Sequence, residues 1–104
     1  GTAMTTAQKM RAARDSDFKR NVAERETLPS ARGAELGGVT LHSVRLPGLV
    51  AHQEVYFGGV GETLKLRHDS ISRESFMPGV LRAVRESAEL DQIVVGLDRL
   101  LGLV

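Results

Sequence analysis

Residues 39–68 read VTLHSVRLPGLVAHQEVYFGGVGETLKLRH, and the periodicity of this stretch decides the fold class. Three runs within it, VTLHSVR, LVAHQEVYF and ETLKLRH, alternate in character and carry many β-branched side chains. A period of two puts successive side chains on opposite faces of a strand. Pro47-Gly48, within LPGL, suits a tight turn between the first two runs, and GGVG separates the second from the third. Three sequential runs with short connections predict an antiparallel meander. In the second run Leu49, Ala51, Val55 and Phe57 share one face, and Val50, His52, Glu54 and Tyr56 share the other. In the third, Leu64 and Leu66 oppose Thr63, Lys65 and Arg67. One face is apolar. The other face of the second run is only half polar, which leaves room for a subunit contact.

On either side of this stretch the pattern changes. Upstream, Ala3, Ala7 and Met10 fall at helical spacing, and the absence of Pro and Gly predicts a helix over residues 3–14 with a thin apolar face. Residues 15–38, DSDFKRNVAERETLPSARGAELGG, are charged, weakly periodic and punctuated by Pro29, Gly33, Gly37 and Gly38, and read as one long loop. Downstream, Phe76, Val80, Val84 and Ala88 form a helical stripe that Met77 and Leu81 widen. Ser72 is its expected N-cap, and Pro78 must lie in the first turns, because deeper in a helix it would remove a hydrogen bond and clash. IVVGLDRLLGLV predicts a short apolar run and a short helix that Gly102 stops. The expected class is α+β, a mixed or antiparallel sheet with flanking helices.

Composition narrows the function. A chain of 104 residues fits one small domain, and at this size only about two-thirds of the unfolded surface is buried. With no cysteine there are no disulfides, zinc-thiolate sites or thiol nucleophiles. The formal net charge is +1 with both signs interspersed, unlike a nucleic-acid binder with its basic excess on one face. The apolar runs are too short to cross a membrane.

Several local patterns fail as chemistry. His42, His52 and His68 fall one per expected strand, but their spacing matches no metal-ligand set. Ser43, His42 and Glu54 cannot form a triad, because Ser43 and His42 are neighbours on a strand and point to opposite faces. GGVG lacks the Lys and the strand-to-helix context of a phosphate loop and is better read as a hairpin turn. RHDSISRES reads equally as an acidic-ligand site through Arg67 and Arg73 or as a capped helix start. The best small-anion candidate is Gly1-Thr2 against the first helix, where unpaired N–H groups and the helix dipole converge.

Three segments in this order resemble one enzyme family: GTA followed by a helix, then GVTLHSVRLPGLVAHQEVYFGGVGETLKLRHDSISRESFMPGVLRAVR, then VGLDRLLGL. The chain resembles the C-terminal part of the 4-hydroxy-tetrahydrodipicolinate reductases, nicotinamide-dependent enzymes of the diaminopimelate–lysine pathway. The likeness is most specific in HSVRLPGLVAHQEVYFGG and HDSISRESFMPG, and weakest over residues 15–38. In the family a signature of the type His-His-x-x-Lys-x-Asp-(Ala/Ser)-Pro-Ser-Gly-Thr-Ala precedes the first helix of the substrate domain. Gly1, Thr2 and Ala3 match its last three residues.

The resemblance implies that the chain starts inside a substrate-binding motif. Gly1 and Thr2 would hold one carboxylate of a small dicarboxylate substrate. The catalytic His and Lys would lie upstream, as would the nucleotide domain that binds NADH or NADPH. Arg73, near the domain hinge, is the candidate cofactor contact in this chain. Residues 1–72 would be the substrate-binding and oligomerisation domain, lacking its start. Residues 73–104 would be helices that return to the nucleotide domain, leaving the stripe of Phe76, Val80 and Val84 without its cover here. The resemblance further implies a cytoplasmic homotetramer built through the sheet, with no metal, nucleic acid or membrane partner, and a 104-residue chain that is inactive alone. The alternatives are a non-catalytic oligomerisation domain and an unrelated small-ligand-binding protein.

Overall fold

The computed structural model describes residues 1–20, 22 and 25–104. The class is α+β, and the chain divides into two compact units, Gly1–Pro47 and Gly48–Val104.

The first unit holds α1 (Thr2–Ala12), β1 (Ala34–Leu36) and β2 (Val39–Leu41). The helix packs on the hairpin and buries Ala7, one of the residues whose spacing predicts it. β1 and β2 pair antiparallel, with Ala34 opposite Leu41 and Leu36 opposite Val39, so only Gly37 and Gly38 connect them. Both glycines have positive φ, 57° and 81°. That is the requirement of a type I′ turn, whose twist matches the strands it joins. The Phe18 amide donates to the Gly37 carbonyl at 2.9 Å, laying the segment after α1 along the turn. Arg11 pairs with Asp17, the Arg14 guanidinium lies 4.3 Å from the centre of the Phe18 ring, and Arg20 reaches Glu35 at 3.0 Å.

Two sequence expectations are corrected here. Residues 15–38 are not one loop, because β1 lies within them; residues 21, 23 and 24 of that stretch lie outside the described residues. Three residues with one large apolar side chain are too few to show a period, and the usable signal was the Gly-Gly pair that closes the hairpin. The meander is also replaced: β2 pairs with β1, and β3 pairs only with β4 among the described strands. The first run stays extended only to Leu41, so His42 falls beyond the strand.

In the second unit β3 (Ala51–Gly59) and β4 (Glu62–Ser70) form a long hairpin closed by Val60-Gly61, with Gly61 at φ 74°. The expected turn in GGVG is therefore present, moved to its last two residues. Val55 faces Leu66 and Phe57 faces Leu64 across the apolar face; Gln53 and His68 continue it. On the other face His52 pairs with Asp69, Glu54 with Arg67 and Tyr56 with Lys65. A 3₁₀ turn over Arg73–Phe76 leads into α2 (Met77–Ser87), and α3 spans Leu97–Leu100. The Ser72 hydroxyl accepts from the Glu74 amide at 3.2 Å, the expected cap. Pro78 sits in the first turn of α2. Gly102, at φ 72°, stops α3: its amide bonds the Arg99 carbonyl at 3.1 Å and the Leu103 amide bonds that of Asp98 at 2.8 Å, a Schellman arrangement.

Much of the apolar surface of this unit is uncovered. In the α2 stripe Phe76 and Val80 are each 48% exposed and Val84 is 62% exposed. Beside it an open groove of about 630 Å³ runs between α2 and α3, lined in part by Gly79, Val80, Ala83, Leu97 and Leu100. Leu64 and Leu66 of the hairpin are also exposed.

Candidate functional site

α1 starts directly at Gly1, which is its N-cap and offers no side-chain cap. The Gly1 carbonyl accepts from the Thr5 amide at 3.1 Å and from the Thr5 hydroxyl at 3.4 Å. The amides of the first turn before Thr5 have no partner within the helix by construction. No acidic side chain stands in this turn, while Lys9 and Arg11 stand in the last. The charges thus complement the dipole at the C-terminal end and leave the positive N-terminal end unanswered. Gly1 and Thr2 are exposed in this structure, and Thr2 carries both a hydroxyl and one of the first-turn amides.

The other candidate residues are placed differently. Arg73 is exposed at the first position of the 3₁₀ turn, in the second unit. His42 follows β2, His52 lies on the polar face of the hairpin and His68 on its apolar face. Among the described residues no three His, Cys, Asp or Glu side chains are placed to hold a metal ion. The acidic-ligand reading of Arg67 fails, since that guanidinium is already engaged by Glu54 at 2.6 Å and Asp69 at 2.7 Å.

Those contacts belong to a cluster that residue-by-residue reading missed. The Val50 amide donates to His52 Nε2 at 3.4 Å, so Nδ1 carries the proton that faces Asp69 Oδ1 at 2.5 Å. Arg67 Nε donates to the other Asp69 oxygen, and its Nη1 donates to Glu54. The second Glu54 oxygen accepts from the Tyr56 hydroxyl, and Lys65 lies 4.9 Å from the centre of the Tyr56 ring. Arg67 and then His52 hold the Asp69 carboxyl down at about 2. The Tyr56 hydroxyl, with Arg67 and Lys65 behind it, lowers Glu54, and Asp69 first and Glu54 next raise Arg67. Every carboxylate oxygen here has a donor. The signal was available in the alternate positions 52, 54, 56 and 65, 67, 69, but it needed the register to become a network.

The glycine turns close hairpins or loops, and none among the described residues leads from a strand into a helix, as a pyrophosphate-binding turn must.

An α+β segment with exposed apolar faces and a first helix that begins at Gly1 without a side-chain cap is the class that the fold and the candidate site define. The comparisons give that class a family. Residues 1–101 match the family model described as dihydrodipicolinate reductase, C-terminus. A 4-hydroxy-tetrahydrodipicolinate reductase from Bacillus licheniformis is 54% identical over 101 residues, covering 97% of this chain and 38% of that protein. Its counterpart in Streptococcus thermophilus is 55% identical, over 97% of this chain and 40% of its own length. A solved structure, dipicolinate-bound dihydrodipicolinate reductase from Paenisporosarcina sp. TG-14, superposes with a TM-score of 0.82 at 47% identity, covering 95% of this chain and 37% of that one. The chain belongs to the dihydrodipicolinate reductase family and corresponds to its C-terminal region. It spans about 38% of the length of the first of these relatives.

Proposed function

We propose that the whole protein containing this chain is an NADH- or NADPH-dependent reductase that converts the dehydrated form of 4-hydroxy-tetrahydrodipicolinate to tetrahydrodipicolinate. The observation that carries this reading is that the chain is more than half identical to enzymes of that name, with a first helix that starts at Gly1-Thr2 and has no acidic side chain in its first turn. The substrate carries two carboxylates. One of them meets the first-turn amides, the positive end of the dipole and the Thr2 hydroxyl, each favouring negative charge. The solved relative with dipicolinate bound supports a dicarboxylate ligand of this kind. The His and Lys that act on the ring, and the residues that bind the cofactor, belong upstream of Gly1, with Arg73 the candidate cofactor contact in this chain. The cofactor supplies the hydride, and the residues described here bind and orient the substrate.

The remaining features fit the same reading. Residues 1–72 serve substrate binding and oligomerisation, and residues 73–104 pack on the nucleotide-binding part through the exposed α2 stripe. The hairpin joins subunits into a homotetramer, and the protein works in the cytoplasm. The 104-residue chain alone should show no substrate-dependent oxidation of NADH or NADPH. The test is replacement of Thr2 by Val in the whole protein, followed by steady-state kinetics. A fall in kcat/KM with unchanged cofactor affinity supports the carboxylate role; wild-type kcat/KM overturns it.

A further inference from the structure

Unit 2 buries one polar side chain among its described residues: Ser70, the last residue of β4, is 1% exposed. Its hydroxyl contacts that of Ser75 and also reaches the Ser72 carbonyl at 3.1 Å. The Ser75 hydroxyl donates to the same carbonyl at 2.9 Å, and the Ser75 amide does so at 3.2 Å. The Ser72 hydroxyl meanwhile caps the Glu74 amide. Two hydroxyl protons can make two of these three hydroxyl contacts at a time: the Ser70 hydroxyl donates to that of Ser75, which donates to the Ser72 carbonyl, a chain across six residues. This chain of hydrogen bonds lies where β4 ends and the 3₁₀ turn begins. Between its members Ile71 is 81% exposed, so apolar packing does not hold this corner. Only Ser70 of the three serines is buried, and hydrogen bonds are directional where apolar contact is not.

We propose that Ser70, Ser72 and Ser75 form a clasp that sets the direction in which the 3₁₀ turn and α2 leave the hairpin. Ser70 and Ser75 are then positioning residues of the reductase. This rests on the reading above in one respect: residues 73–104 must meet the cofactor-binding part. A change in the departure angle would then misalign hydride donor and substrate without touching either, and reacting groups misplaced by about 1 Å lose up to about a hundredfold in rate.

The test uses the whole protein and two readouts. Ser75→Ala removes one hydroxyl at an exposed position, and Ser75→Thr restores it. Amide hydrogen exchange at residues 74–77 should quicken about five- to tenfold in Ser75→Ala, as expected for one lost hydrogen bond, and return to the wild-type rate in Ser75→Thr. Ser70→Ala should quicken the same amides, and the double variant should cost less than the sum of the singles, because the two hydroxyls belong to one hydrogen-bond chain. In kinetics, Ser75→Ala should lower kcat several-fold with little change in either KM, and Ser75→Thr should recover it. Unchanged exchange in both alanine variants overturns the clasp. Quickened exchange with unchanged kcat overturns the positioning role while leaving the reductase reading intact. Absence of reductase activity in the wild-type protein sinks that reading instead, and the exchange measurements then decide the clasp by themselves.

Discussion

Thr2 and Gly38 show how differently single residues can matter. In the proposed reading, Thr2 matters through its hydroxyl, as a donor to a substrate carboxylate. A hydrogen bond to a charged group contributes about 1.5–3 kcal/mol, so Thr2→Val should lower kcat/KM about ten- to one-hundred-fold, at 1.4 kcal/mol per decade. Thr2→Ser keeps the donor and should lose much less, which the same assay reads directly. Gly38 matters through its backbone. At φ 81° an L side chain is strained, by about 1–2 kcal/mol. The added Cβ would also lie 1.8 Å from the Phe18 carbonyl oxygen. Gly38→Ala should lower the thermal midpoint of the whole protein by more than the strain accounts for, and retention of the wild-type midpoint would show that Phe18 does not lie along this turn.

At the scale of the element, the β3–β4 hairpin is held by its two faces in different ways. The apolar face has cross-strand pairs such as Val55–Leu66 and the polar face an ion network, and neither has a cover within unit 2. The network has a defined acid limit. Pairing depresses the folded-state pKa of Asp69 from 3.8 to about 2. Its stabilisation is therefore complete above the unfolded value and is lost as pH falls through the folded one. Between about pH 4 and pH 2 the wild-type protein should lose stability more steeply than Asp69→Asn, which has no such carboxylate to protonate. Parallel stability curves for the two proteins across that window would refute the assignment.

For the whole molecule, the uncovered apolar surface is the dominant fact. Exposed apolar patches of this kind mark contact sites in soluble proteins, and the polar face of the hairpin offers the alternative that the sequence suggested through Val50, His52, Glu54 and Tyr56. Sedimentation distinguishes the two faces. If subunits meet through the apolar face, Leu66→Glu should lower the oligomeric state of the whole protein and Lys65→Glu should not; the reverse result would move the contact to the polar face. A wild-type protein that stays monomeric at high micromolar concentration would remove both.

Periodicity and turn chemistry by themselves determined the α+β class, a first helix (expected over residues 3–14, found over 2–12), the alternation of β3 and β4, the Ser72 cap, the place of Pro78 and the Gly102 stop. These are local properties, set by φ preferences, missing amides and side-chain period within one or two turns of chain. The GTA stretch likewise pointed to a helix start at Gly1-Thr2, because a helix end is built from consecutive residues. Tertiary structure alone decided the strand partners. β2 turns back on a three-residue strand too short to show a period, so the expected meander became two hairpins. It alone decided the Glu54–Arg67–Asp69–His52 network and the Ser70–Ser75 contact. The physical reason is common to all three: each depends on which residues stand opposite one another across a strand pair or a corner. A shift of one residue in register would have sent every one of those side chains to the other face.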